Sequence, residues 1–302
     1  MSTMAVGARR SRRRAGKPHN RGSWLYTLPY AVFFLTFIAY PLGFAVYMSL
    51  HEWGLISVDR PWVGLGNFLA LFQDPLFLTS LANTFVYLAV NIPLTLVCGI
   101  ALAVALNASF PGRVFFRTVY FLPYVTSTVV VALLWKWMLS TDDGILNGFL
   151  KALGLDGLPW LTSTWLAMPT IAVVVTWKSL GFYVLLFLGG LQTIPRSLEE
   201  AAVTDGATWW QRFRHVTLPG LRPAIALVIA LSTITGFQVF AEPYLMTGGG
   251  PLNSTMTPVL YLYQKGFQSL DFGYAAAIGI VVAVVVVAVV LLQRRFLEER
   301  TT

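Results

Sequence analysis

The chain has 302 residues, of which 56% are hydrophobic, 14% aromatic and only 11% charged. A soluble domain carries about 25% charged residues, so this composition excludes an ordinary water-soluble fold and points to lipid as the solvent. The net charge of +8 does not mark a nucleic-acid groove, because the basic residues collect in an N-terminal tail and a few short loops, and the single Cys98 excludes an intrachain disulfide.

Residues 1–23 hold Arg9, Arg10, Arg12, Arg13, Arg14, Lys17 and Arg21 and read as a basic, disordered cytoplasmic tail. A nucleic-acid-binding arm is the sharper alternative, but membrane topology is enough to explain the arginines. The apolar run that follows, Trp24–Leu50, is too long for a signal-peptide core, contains Pro29 and Pro41, and lacks a small-residue cleavage site. It predicts a first spanning helix. Five more runs approach the ~20 residues needed to cross hydrocarbon. They are Leu81–Leu106, Phe115–Leu139, Trp165–Leu191, Pro223–Ala241 and Ala275–Leu292. Inside lipid every backbone group needs an internal partner, and these runs are too long for barrel strands and lack period-two alternation. The expected fold is an all-α membrane protein with six transmembrane helices in one domain, residues 24–302. Between the first two spans, Asn67–Phe72 predicts a short surface helix that breaks at Asp74-Pro75.

Loop charges orient the spans. With the tail inside, Arg113, Arg117, Arg196, Arg212, Arg214, Arg222, Arg294, Arg295 and Arg300 also fall inside. The other side holds Arg60, Lys151 and Lys265 among Glu52, Asp59, Asp74, Asp142, Asp143, Asp156 and Asp271. Every loop agrees with one orientation, both termini cytoplasmic.

The connector between the fourth and fifth spans, about 29 residues from Pro195 to Pro223, is longer than topology requires. Ser197 with Glu200, and Thr208 with Gln211, each have capping-box spacing. Asp205-Gly206 ends the first helix with a glycine free to take a left-handed cap, and Leu218-Pro219 stops the second. The prediction is a cytoplasmic helix–turn–helix.

Glu200-Ala201-Ala202, then Gly206, then Val216-x-Leu218-Pro219, resembles the coupling-loop signature of importer permeases of the ATP-binding-cassette class, with Val216 where isoleucine is usual. Further residues resemble the carbohydrate branch of that family, the maltose-type and glycerol-phosphate-type permeases. They are Trp177-Lys178, Gly189-Gly190-Leu191-Gln192, Ile194-Pro195, Asp205-Gly206-Ala207, Thr247-Gly248-Gly249-Gly250-Pro251 with Asn253-Ser254-Thr255, Tyr40-Pro41, and Trp62 to Phe68. The resemblance implies a second permease forming a heterodimer, two ATPase subunits, and an external solute-binding protein. It implies that Glu200, Ala201, Ala202, Asp205, Gly206, Leu218 and Pro219 couple to the ATPase. Gly248-Gly249-Gly250 is not a phosphate loop, since no Gly-Lys-Ser/Thr follows, and reads as a flexible turn. No ATP site is found in the chain, so ATP and Mg belong to partner chains and this subunit is not itself an enzyme.

Polar residues within a span should face other helices or a wet cavity. Ser232, Thr235, Gln238 and Glu242 recur at helical spacing on the fifth span, flanked by Phe237 and Phe240, and predict a stripe along the solute path. Helix–helix bonding is the plainer reading for the hydroxyls. On the fourth span Trp177, Phe182 and Tyr183 offer faces suited to sugar rings. Lys178 lies near mid-span, where a charge either meets a solute anion, pairs with a carbonyl or snorkels; the structural alternatives are favoured. Competing functions are a permease of the same class for amino acids or anions, a membrane-embedded enzyme, or a secondary transporter. The enzyme lacks a supporting cluster: His19, His51 and His215 are scattered and no acid pair lies within the spans. Nothing in the sequence resembles the broken, inverted-repeat helices of secondary transporters.

Overall fold

A computed structural model describes residues 26–55, 59–108 and 111–298. The basic tail, residues 1–23, lies outside them. Residues up to Phe44 form one unit and residues from Ala45 onward a second. The first is the body of helix α1 (Leu28–Ser49), apolar throughout, with a π-helical turn at Leu35–Ala39 just ahead of Pro41.

The second unit is helical, with two isolated bridges as its extended pairing among the described residues. Helix α2 (Gly66–Gln73) is the predicted surface helix. Asp74 ends it and caps the next, its Oδ1 accepting from Leu76 N at 2.9 Å. Helix α3 therefore runs Pro75–Asn107, beginning six residues earlier than hydropathy suggested, because an N-cap and a proline in the first turn start a helix regardless of where the apolar run begins.

The third predicted span is two helices, α4 (Arg113–Val125) and α5 (Thr128–Met138), bent by 94°. Pro123 lies in the last turn of α4, and Thr126 and Ser127 are extended. A short helix, α6 (Ile145–Ala152), precedes α7 (Ala167–Gln192), the unbroken fourth span. Then come α8 (Arg196–Thr204) and α9 (Trp209–Gly220), the latter bent by 62° from α10 (Arg222–Phe237). Helix α11 (Ala241–Thr247) follows a second break, α12 (Pro258–Tyr263) continues into a π turn, and α13 (Phe272–Glu298) closes the chain. Among the described residues, four helices are long and apolar enough to cross a membrane; counting each bent pair as one crossing brings the number to six.

Helix α7 is the central post. Asn91 Nδ2 on α3 donates to its Thr176 Oγ1 at 2.7 Å, and Gly99 of α3 faces its Phe187 ring. On another side α4 passes so close to Gly181 that an added Cβ would sit 2.2 Å from the Tyr120 carbonyl oxygen. Lipid gives little hydrophobic drive between helices, so small residues and interhelical hydrogen bonds of this kind hold the bundle. Helix α10 is tied to α13 by the same means, Gln293 Nε2 donating to Thr233 Oγ1 at 2.8 Å. Outward-facing Val284, Val287, Leu291 and Leu292 on α13 are all more than half exposed, as a lipid-contact face requires.

Candidate functional site

Both breaks open toward the middle of α7. After Phe237 the chain leaves the helical path at Gln238 and resumes at Ala241, and the Val239 carbonyl freed by the break accepts from Thr257 Oγ1 at 2.8 Å. Irregular backbone at membrane depth is tolerated where it is buried in protein or lines a cavity. Here it lines one: about 600 Å³, bounded by Tyr87, Asn91, Tyr124, Thr128, Val175, Ser179, Phe182, Tyr183, Leu231, Thr235, Gln238, Val239, Phe240, Ala241 and Glu242.

Six residues singled out from sequence, Phe182, Tyr183, Thr235, Gln238, Phe240 and Glu242, stand on this wall. Four do not. Ser232 and Phe237 are buried among helices, Ser232 Oγ without a partner and Phe237 edge-on to Phe85. Trp177 is half exposed and edge-on to Trp135. Lys178 lies outside the lining. The expected continuous stripe on the fifth span is therefore corrected: Ser232 and Thr235 belong to α10, Gln238 sits in the break, and Glu242 is on α11. Tyr87, Asn91, Tyr124, Thr128 and Ser179 were missed, although Asn91 was visible as an amide inside an apolar run.

Lys178 neither snorkels nor binds a carbonyl. Its Nζ lies 3.4 Å from Glu242 Oε1 and also donates to Thr128 Oγ1. The two side chains are 14% and 8% exposed, so each charge depends on the other for its compensation. Three elements meet in this contact: the first turn of α5 after its break, the middle of α7, and α11 after its break. Around the cavity the aromatic faces are ordered, Tyr124 stacking on Phe182 with centroids 5.0 Å apart and Phe240 on Tyr244 at 5.4 Å. Apolar ring faces beside hydroxyl, amide and carboxylate groups suit a solute that is itself apolar on its faces and hydroxylated at its edges.

After α11 the Gly248–Gly250 turn is tied down rather than loose. Thr255 Oγ1 donates to the Gly250 carbonyl at 2.8 Å, and Asn83 Nδ2 on α3 donates to the Asn253 and Met256 carbonyls at 2.7 and 3.0 Å. Asp74 accepts from Tyr274 Oη at 2.8 Å and from Tyr261 Oη. Burial alone would raise this carboxyl, but hydrogen bonds from the two phenols and from the Leu76 and Phe77 amides outweigh it and hold Asp74 below its ordinary value.

In the connector, α8 and α9 form the expected helix–turn–helix. Gly206 has φ +75°, and its amide and that of Ala207 bond the Val203 and Ala202 carbonyls at 3.0 and 2.9 Å, a Schellman closure. The Thr208–Gln211 capping box is formed. The Ser197–Glu200 box is not: α8 starts at Arg196 with Pro195 as N-cap, which places Ser197 already inside the first turn. As expected, α9 runs to Leu218-Pro219; it ends one residue further on at Gly220, and the bend follows at Leu221. Glu200, Ala201, Asp205 and Gly206 are exposed, while Ala202, Leu218 and Pro219 are half-buried, Leu218 packing against the core of the bundle.

Residues 92–301 match the family of binding-protein-dependent transport system inner membrane components. The chain is 37% identical to a probable ABC transporter permease, YurN, of Bacillus subtilis, over 90% of this chain and 94% of that one. It is 35% identical to the lactose transport system permease LacF of Rhizobium radiobacter, over 98% and 100%. The fold matches a chain of the bacterial alginate ABC transporter solved in complex with an alginate pentasaccharide-bound periplasmic protein. The TM-score is 0.78 at 28% identity, covering 93% of this chain and 96% of that one. The chain belongs to this family of inner-membrane components and is a multi-pass permease subunit of an ATP-binding-cassette importer.

Proposed function

We propose that this permease carries a sugar or oligosaccharide through the cavity at the two span breaks, by alternating access driven from separate ATPase chains. The observation that carries the reading is the cavity wall, where stacked aromatic faces alternate with Asn91, Ser179, Thr235, Gln238 and Glu242. A relative whose name specifies lactose, and a structural relative from the alginate ABC transporter, support the substrate class. No lining feature favours an amino acid or free anion.

A second permease supplies the facing wall in a pseudo-symmetric heterodimer, and a solute-binding protein docks on the outer loops. Two ATPase subunits, which bind ATP and Mg, receive the exposed α8–α9 connector, with Glu200 as the charged contact and Ala201 and Ala202 small enough for close approach. The loop charges support a cytoplasmic connector and cytoplasmic termini.

The test is uptake in proteoliposomes holding the assembled importer and its cognate binding protein. Gln238→Leu is expected to reduce sugar uptake by about tenfold through loss of one hydrogen-bonding group on the cavity wall, with assembly and ATP hydrolysis retained. Unchanged uptake makes Gln238 a packing residue, and a binding protein that selects amino acids or inorganic anions overturns the substrate class.

A further inference from the structure

At the end of the bundle that carries the connector, a groove of about 720 Å³ runs between the last turns of α3 and the rings of Trp209, Trp210 and Phe213. Its α3 wall is wholly apolar, Leu96, Val97, Ile100, Ala101, Val104 and Ala105. A smaller polar recess of about 110 Å³ shares Val104, Trp209 and Phe213 with it and adds Asn107, Arg212 and Thr217. Groove and recess thus adjoin, apolar along the helix and polar at one mouth. Into that mouth comes Arg212, whose Nε is buried without a hydrogen-bond partner. Glu199 stands on the recess wall too, yet among the described residues its carboxylate makes no ion pair with Arg212.

A guanidinium at the mouth of an apolar groove on a membrane helix is complementary to an amphiphile with an anionic head. Trp209 and Trp210, 59% and 58% exposed and stacked with Phe213, are the ring types that settle at the headgroup level. Arg113, Arg117 and Arg214 give this end of the bundle its basic character. We propose that the groove binds an acyl chain of an anionic phospholipid whose phosphate is held by Arg212. Because Trp209 and Arg212 belong to α9, the bound lipid would brace the connector against α3, so the lipid composition of the leaflet would reach the coupling element directly.

The experiment uses the assembled importer in detergent with phosphatidylglycerol carrying a photoreactive acyl chain, and phosphatidylcholine of the same chains. Adducts are expected on peptides covering residues 96–108 and 209–213, with phosphatidylglycerol favoured by about fivefold, because the phosphate charge of phosphatidylcholine is offset by its own choline. Arg212→Met should bring phosphatidylglycerol labelling down to the phosphatidylcholine level, and Ala101→Trp, which fills the groove, should reduce both. The wild-type adduct map stands alone if either variant fails to assemble. Adducts spread evenly over the lipid-facing helices, or a preference that survives Arg212→Met, would overturn the proposal. So would displacement by inorganic phosphate alone, which marks a free-anion pocket. A disulfide from Val97→Cys to the partner permease, which shows the groove covered by protein, overturns it as well.

Discussion

Lys178 Nζ lies 3.4 Å from Glu242 Oε1, joining the middle of the fourth span to the short helix that follows the break in the fifth. Neither charge is stable there alone. Removing one partner leaves the other buried and uncompensated, whereas replacing both by apolar groups removes the penalty. Lys178→Met or Glu242→Gln should each lower the stability of the assembled importer by about 3 kcal/mol, and the double variant Lys178→Met/Glu242→Leu should recover most of it. Thermal unfolding in a fixed detergent measures this; single variants that melt with the wild type would show that the pair is not formed.

Gly181 and Gly206 should respond in opposite ways to the same substitution. A methyl at Gly181 meets the Tyr120 carbonyl at 2.2 Å and the Phe121 Cα at 2.7 Å, backbone atoms that yield only if α4 moves. Gly181→Ala is expected to cost about 2 kcal/mol. At Gly206 an added Cβ meets nothing within 4 Å, and the cost is the left-handed φ of +75° alone, about 1 kcal/mol. Equal losses at the two positions would contradict the close packing of α4 on α7.

Charge and bulk at the connector should separate coupling from folding. Glu200 and Gly206 are exposed, so Glu200→Lys or Gly206→Asp disturbs little of the subunit's own packing. Both variants are expected to insert normally but to lose the ATPase subunit on purification, or to hydrolyse ATP without response to the binding protein. Full ATPase retention with intact stimulation would remove these residues from the docking contact.

Asp74 predicts acid sensitivity on the opposite face. Its folded pKa lies below the ordinary 3.8, so the carboxylate contributes stability above that value and loses it as pH falls through the folded pKa. Unfolding curves of the wild type should be flat in this respect above pH 4 and fall below it, and Asp74→Asn should flatten the acid limb. Tyr274→Phe, removing the 2.8 Å bond, should lower stability by about 1 kcal/mol at neutral pH. An acid limb identical in Asp74→Asn would assign the loss to other carboxylates.

Much of this protein is written in local pattern. Hydropathy over a window of about 20 residues finds the spans. The Thr208–Gln211 spacing finds a capping box and Gly206 a left-handed turn, since both depend on atoms a few residues apart. The same locality explains the failures. Ser197 and Glu200 have capping-box spacing, but with Pro195 as N-cap the helix starts two residues too early for the box to form. A window average does not register whether the backbone continues, so the breaks at Thr126–Ser127 and Gln238–Phe240 were invisible, and with them the cavity.

By itself, then, the sequence determined the solvent, the spans, the sign of charge at each end of the bundle, and the connector that marks the family, because composition and short-range spacing decide these. Only the tertiary structure decided which polar residues face the cavity, that Lys178 is answered by Glu242 64 positions away, and that Asn91 belongs with Thr176 across 85. Those pairings arise where two broken spans fold against an unbroken one. In a medium that offers no water, a charge or amide must take its partner from whichever helix packing brings within reach.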